Sequence, residues 1–163
     1  MCVSLGVVFM VIGGFFDVLD LSASALASLL VVFVYIEIGS PYTYLVWLAT
    51  SLATFVTFPG SVIWIEYLAV FGIYPILKAY IERRARILWL PIKLIYVNAV
   101  LWGMILAVEK LLKIPFFNTD LMWVKAGIYI LLNVAFIAYD MFLTVFIRLY
   151  FNKLRHRFMR FLK

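Results

Sequence analysis

Glu66, Asn98, Lys125 and Asn133 are polar side chains set within long apolar stretches, and they are the groups of this chain best placed to do chemistry. In an apolar medium such groups are costly to hold, and they normally face a protein interior or a cavity. Counted at about 1.5 Å per helical residue, Trp64, Trp102 and Tyr129 fall at heights near theirs. A few convergent polar groups walled by apolar and aromatic side chains make a small-molecule site. The expected site is therefore Glu66, Lys125, Asn98, Asn133, Trp64, Trp102 and Tyr129, with binding rather than bond-breaking as its chemistry. The plainer role for the tryptophans is an interfacial aromatic belt.

A second polar set, Glu37, Lys78, Lys93 and Asp140, with Arg148 beyond it, lies toward the other ends of the same stretches. Its signs nearly balance, which suits an ion network tying several helices together. A structural clamp, or lysines snorkelling to the surface, is the simple role; a proton relay is the sharper one. Residues for catalysis are missing. The sole histidine, His156, sits in a basic tail, and the sole cysteine, Cys2, has no internal partner. There is no phosphate-binding glycine loop and no cysteine pair for zinc. Glu66 and Asp140 are expected at opposite sides, so they form no acid pair. The chain reads as non-enzymatic, with no cofactor and no metal.

The elements that must position these residues follow from composition. Hydrophobic residues make up 67% of the 163 residues and charged ones 13%, and the mean hydropathy is +1.13. A soluble domain keeps roughly a quarter of its residues charged, and this much apolar surface in water would aggregate. Breakers divide the chain into six apolar segments, at about 2–17, 22–37, 42–57, 61–80, 90–112 and 120–150, followed by a basic tail at 151–163. Six crossings of ~20 residues fill the chain and leave no separate soluble domain. The segments lack the alternation of barrel strands, so each is expected to be a helix. Helix signals agree: Ser22 after Asp20 and Asp120 as N-caps, Gly39-Ser40-Pro41 as a tight turn, and Pro91 in a first turn. The first segment lacks a basic start, and no small-x-small cleavage site precedes Asp17, so it reads as a span and not a signal peptide. The expected fold is an all-α polytopic transmembrane bundle of six helices.

Arginines and lysines gather at Arg83–Arg86 and from Lys153 to Lys163. Two spans separate these clusters, so they share a side, and the positive-inside rule makes it the cytoplasmic one. Both termini are then cytoplasmic in a multi-pass cell-membrane protein. The net charge of +6 is explained by topology and anionic lipid, with no nucleic-acid partner. The tail reads as a membrane-hugging extension of the last span. Ala23 and Ala27, Ser24 and Ser28, and Ala49 and Ala53 are spaced four apart, which lets helices approach closely in lipid.

Two stretches carry a family resemblance: Phe16-Asp17-Val18-Leu19-Asp20-Leu21 in the first outer loop, and Phe71-Gly72-Ile73-Tyr74-Pro75-Ile76-Leu77-Lys78 in the fourth span. With six spans in so short a chain, it resembles the substrate-binding S components of energy-coupling factor transporters. The resemblance implies capture of a small molecule such as a vitamin beneath the outer loops. It also implies a separate transmembrane scaffold subunit and ATPases that energise uptake. That family's first span carries an Ala-x-x-x-Ala face; here the first span offers Gly6, Gly13 and Gly14, and the alanine pairs lie on the second and third. The alternative is a noncatalytic scaffold in envelope assembly, similar to the rod-shape-determining membrane subunit.

Overall fold

A computed structural model describes residues 1–16, 19–83, 89–113 and 121–154. Among the described residues the chain is all-helical, with no strand. The helices are α1 (Cys2–Phe15), α2 (Asp20–Glu37), α3 (Ser40–Thr57), α4 (Ile63–Glu66), α5 (Tyr74–Ile81), α6 (Trp89–Ala107) and α7 (Met122–Leu149). Wide π turns follow three of them, at Tyr67–Phe71, Val108–Leu112 and Tyr150–Leu154. The chain forms two compact units, Met1–Leu121 and Met122–Lys163. Asp17, Arg84, Arg86, Asp120 and the tail from 155 onward lie outside the described residues.

Four helical stretches are long and apolar enough to cross a membrane: Asp20–Glu37, Ile63–Ile81, Trp89–Lys110 and Met122–Lys153. The other two expected spans differ for separate reasons. With 14 residues, α1 reaches about 21 Å at 1.5 Å per residue, short of a ~30 Å hydrocarbon core. With 18 residues, α3 is long enough, but its buried face is made of Thr43, Thr50, Ser51 and Thr54. These hydroxyls donate back to their own helix: Thr43 to the Gly39 carbonyl at 2.9 Å, Ser51 to Trp47 and Thr54 to Thr50, both at 2.8 Å. Leu45, Leu52 and Val56 face outward and are exposed. Hydroxyls inside and aliphatics outside reverse the water-soluble pattern and suit a helix whose surroundings are apolar.

Within the first unit, α1 and α2 approach closely because small residues meet there. Ala23, Ser24, Ala27 and Ser28 are all buried on one face of α2. The Ser24 hydroxyl donates to the Met10 sulfur at 3.8 Å. A Cβ on Gly13 would stand only 2.5 Å from Ala23 Cβ. The four-apart spacing of α2 thus serves packing within the chain. On α3, by contrast, Ala49 and Ala53 are half-buried and the hydroxyls take the inner face. Met10, Ala27, Val31, Ile63, Tyr67 and Ile76 close the core, flanked by Phe9, Tyr35, Val46, Trp47 and Phe71.

Helix boundaries differ from expectation by a few residues. Leu19 rather than Ser22 caps α2, without a side-chain hydrogen bond, so Asp20 enters the first turn. There its charge still opposes the positive end of the helix dipole. Gly39 makes the expected turn into α3 at φ +110°, a region that favours glycine. The fourth segment, expected as one helix, is composite: α4, a π turn and α5.

Candidate functional site

At the end of the first unit where α1 finishes and α2 and α4 begin, Glu66 closes α4. Its Oε2 is enclosed by protein and has no hydrogen-bond partner, and no salt bridge reaches it among the described residues. The group within electrostatic reach of Glu66 is a second acid, Asp20, from the first turn of α2. An enclosed carboxylate without a donor is unfavourable by several kcal/mol when charged. Such a group gains from anything that brings it a proton, a cation or a hydrogen-bond donor. Among the described residues no three His, Cys, Asp or Glu come together as a metal site would require.

Trp64 is the second incomplete group at this end: its indole N–H is buried and finds no acceptor. Its ring meets Phe55 of α3 edge to face, with centroids 4.9 Å apart. Two residues apart on one helix, Trp64 and Glu66 point to different sides. One turns to α3 and the other to Asp20 of α2, so they do not share one wall as the sequence suggested. Trp102 on α6 is 62% exposed. Asn98 is half-buried on α6 and donates from Nδ2 to the Leu94 carbonyl of its own helix at 2.8 Å.

Lys125, Tyr129 and Asn133 belong to the second unit. They recur every fourth residue and so share one face of α7, and Asn133 Nδ2 donates to the Tyr129 carbonyl at 3.0 Å. Asp20, which the sequence offered only ahead of the Ser22 cap and not in the site, is the acid that acts electrostatically on Glu66. The signal was available: an acid two residues before a predicted helix start, at the same end as Glu66.

The opposite end of the first unit carries a completed charge cluster. Lys78 Nζ lies 2.7 Å and Lys93 Nζ 2.8 Å from the same oxygen, Glu82 Oε1. The Lys78 side chain is 2% exposed, and Lys93 also stands 5.9 Å from the centre of the Trp89 ring. Arg83 Nη2 donates to Tyr35 Oη at 3.3 Å and lies over the Tyr80 ring. Of the expected network of Glu37, Lys78, Lys93 and Asp140, the two lysines share a carboxylate outside that set. Lys78 and Lys93 meet on Glu82, which directly precedes the basic cluster Arg83–Arg86. The i,i+4 spacing of Lys78 and Glu82 was the signal that would have found it. Glu37 stands exposed at the last residue of α2, and Asp140 belongs to the second unit.

The fold and site define the class as far as an apolar helical protein in which, among the described residues, four helical stretches are long and apolar enough to cross a membrane. Compared with protein families, curated proteins and solved structures, the chain finds no match.

Proposed function

We propose that this chain is a multi-pass cell-membrane protein of six spans, with both termini cytoplasmic, that binds a small molecule from the outer side. It would serve as a substrate-binding subunit like the S components of energy-coupling factor transporters, with a separate scaffold subunit and ATPases supplying energy. The observation that carries this reading is the Glu66 Oε2 oxygen, enclosed and without a donor, on a half-buried residue. A protein that keeps such a group gives up stability for a use, and a ligand presenting a donor or a positive group recovers the loss. The lack of Lys and Arg in the first and third loops, at 17–20 and 58–61, against their concentration at 83–86 and 153–163, supports the orientation. The two short of six, α1 and α3, cross as packed partners of α2, with the hydroxyls of α3 turned inward.

The test is a binding screen of the purified protein in detergent against vitamins and their precursors, read by thermal stabilisation and then by calorimetry. One ligand class raises the melting temperature, and Glu66→Gln weakens its binding about tenfold or more, the value of a charged hydrogen bond of roughly 1.5–3 kcal/mol. Failure of every ligand, or normal binding by Glu66→Ala, overturns the reading. Stable co-purification with an envelope-assembly protein and no ligand would point instead to the scaffold role.

A further inference from the structure

The stretch Ile63–Ile81 is long and apolar enough to cross a membrane, yet its helical ladder is interrupted between the π turn at Tyr67–Phe71 and the start of α5 at Tyr74. The break begins at the π turn Tyr67–Phe71. In an α-helix the Gly72 N–H would serve the Leu68 carbonyl; here it donates to Tyr67 at 2.7 Å. Gly72 follows, and then Pro75, which has no N–H to give the Phe71 carbonyl. Backbone groups released in an apolar medium need new partners, and two arrive from different helices. Trp47 Nε1 of α3 donates to the Leu68 carbonyl at 3.1 Å. Tyr96 Oη of α6 donates to the Ala69 carbonyl at 2.7 Å.

The surroundings divide at this point. On one side α4 packs with α1, α2 and α3, through Ile63 in the core and Trp64 on Phe55. On the other, α5 is joined to α6 by the Lys93–Glu82 pair and by the stacked rings of Tyr74 and Tyr96, 5.9 Å apart. The indole of Trp47 lies so close to Gly72 that a Cβ there would stand 2.4 Å from its Cδ1. The far end of α5 buries Lys78 and Ile81 and makes exposed contacts besides, Arg83 to Tyr35 and Tyr80 to Tyr44. Its apolar contact with α2, through Ile76 in the core, is weakly held in lipid, where burial gives no hydrophobic gain.

We propose that the π turn with Gly72 is a hinge about which the α5–α6 pair tilts against α1–α4, and that Trp47 and Tyr96 are its two latches. π turns and prolines are where membrane helices bend, and hinges are a few residues that absorb the backbone change. Here the pivot separates Glu66, which moves with α4, from Lys78 and Glu82, which move with α5. The two charged ends of one segment can then shift independently. Each latch caps a carbonyl that the turn itself releases, so breaking a latch loosens the pivot without touching either end.

Spin labels at Leu52 of α3 and Ile95 of α6, both exposed, in a Cys2→Ser background read the tilt as a distance distribution in lipid nanodiscs. The unmodified latches give a main distance and a minor second one. Trp47→Phe and Tyr96→Phe each raise the second population about fivefold, the effect of losing one hydrogen bond, and the double variant by roughly the product. A single distance, unchanged in all three variants, overturns the hinge. Hydrogen exchange on the protein without substitutions is the second measurement. Amides at 67–77 exchange faster than those of α2 if the hinge exists, and equal protection overturns it even where a variant fails to fold.

Discussion

Gly13→Ala adds one methyl group where α1 and α2 cross closely. The new Cβ would stand 2.5 Å from Ala23 Cβ and 2.9 Å from Ile63 Cδ1. Carbon atoms rest at about 3.5–4.0 Å, so α1 must withdraw from α2 by roughly 1 Å. The Ile63 terminus can rotate aside, but the Ala23 methyl is fixed to its backbone. Overpacking of this kind costs about 1–3 kcal/mol, and the absence of a flexible escape puts this site at the upper end. Against it stands the helix-propensity gain of glycine to alanine, about 1 kcal/mol. The expected net loss is about 2 kcal/mol. Gly103 supplies the control, because nothing lies within 4 Å of its Cβ position. Gly103→Ala therefore keeps only the propensity gain of about 1 kcal/mol, so one substitution takes opposite signs at two sites. Adding Ala23→Gly to Gly13→Ala restores the missing space and recovers most of the loss, apart from the propensity of one glycine. Reversible unfolding in mixed micelles, followed by circular dichroism, measures all three variants against the unsubstituted protein. If Gly13→Ala is as stable as Gly103→Ala, or Ala23→Gly gives no rescue, the close packing of α1 on α2 is wrong.

Three further outcomes are expected. Glu66→Leu removes an enclosed acceptor that has no donor and stabilises the protein by about 1–2 kcal/mol in the same unfolding assay; a loss of similar size would mean the carboxylate has a structural partner. Glu82→Gln takes the shared charge from Lys78 and Lys93 and destabilises by about 2–3 kcal/mol, reduced from the value for a fully buried pair because Glu82 is partly exposed, and Glu82→Asp retains part of this. For the proposed orientation, a membrane-impermeant maleimide labels Ser61→Cys in intact cells and Arg83→Cys only after permeabilisation, both in a Cys2→Ser background; the reverse order overturns the sidedness.

The helices were legible in the sequence because their signals are local. Apolar runs and breakers placed α2 and α3 within two residues of their ends, and Gly39-Ser40-Pro41 announced its turn. The π turn after Glu66 was not legible. It inserts one residue into the helical phase, and no residue type in Tyr67–Phe71 demands that. Every side chain beyond it, Lys78 and Glu82 included, is thereby rotated from where a continuous helix would put it. The face of α3 was misread for a related reason. Ala49 and Ala53 have the spacing for close packing, but Thr50 and Thr54 satisfy their hydroxyls on their own backbone and are as able to face inward.

The sequence by itself determined that this is a helical protein for an apolar medium, because hydropathy and breaker residues act on the nearest few neighbours along the chain. It also identified Glu66, Lys78 and Lys93 as charges that need an explanation. Only the tertiary structure decided what became of them. Lys78 and Lys93 found Glu82, while Glu66 found another acid and no donor. Whether a charge inside a bundle is answered depends on the register between helices distant in sequence, and that register is set by small-residue contacts and by one widened turn.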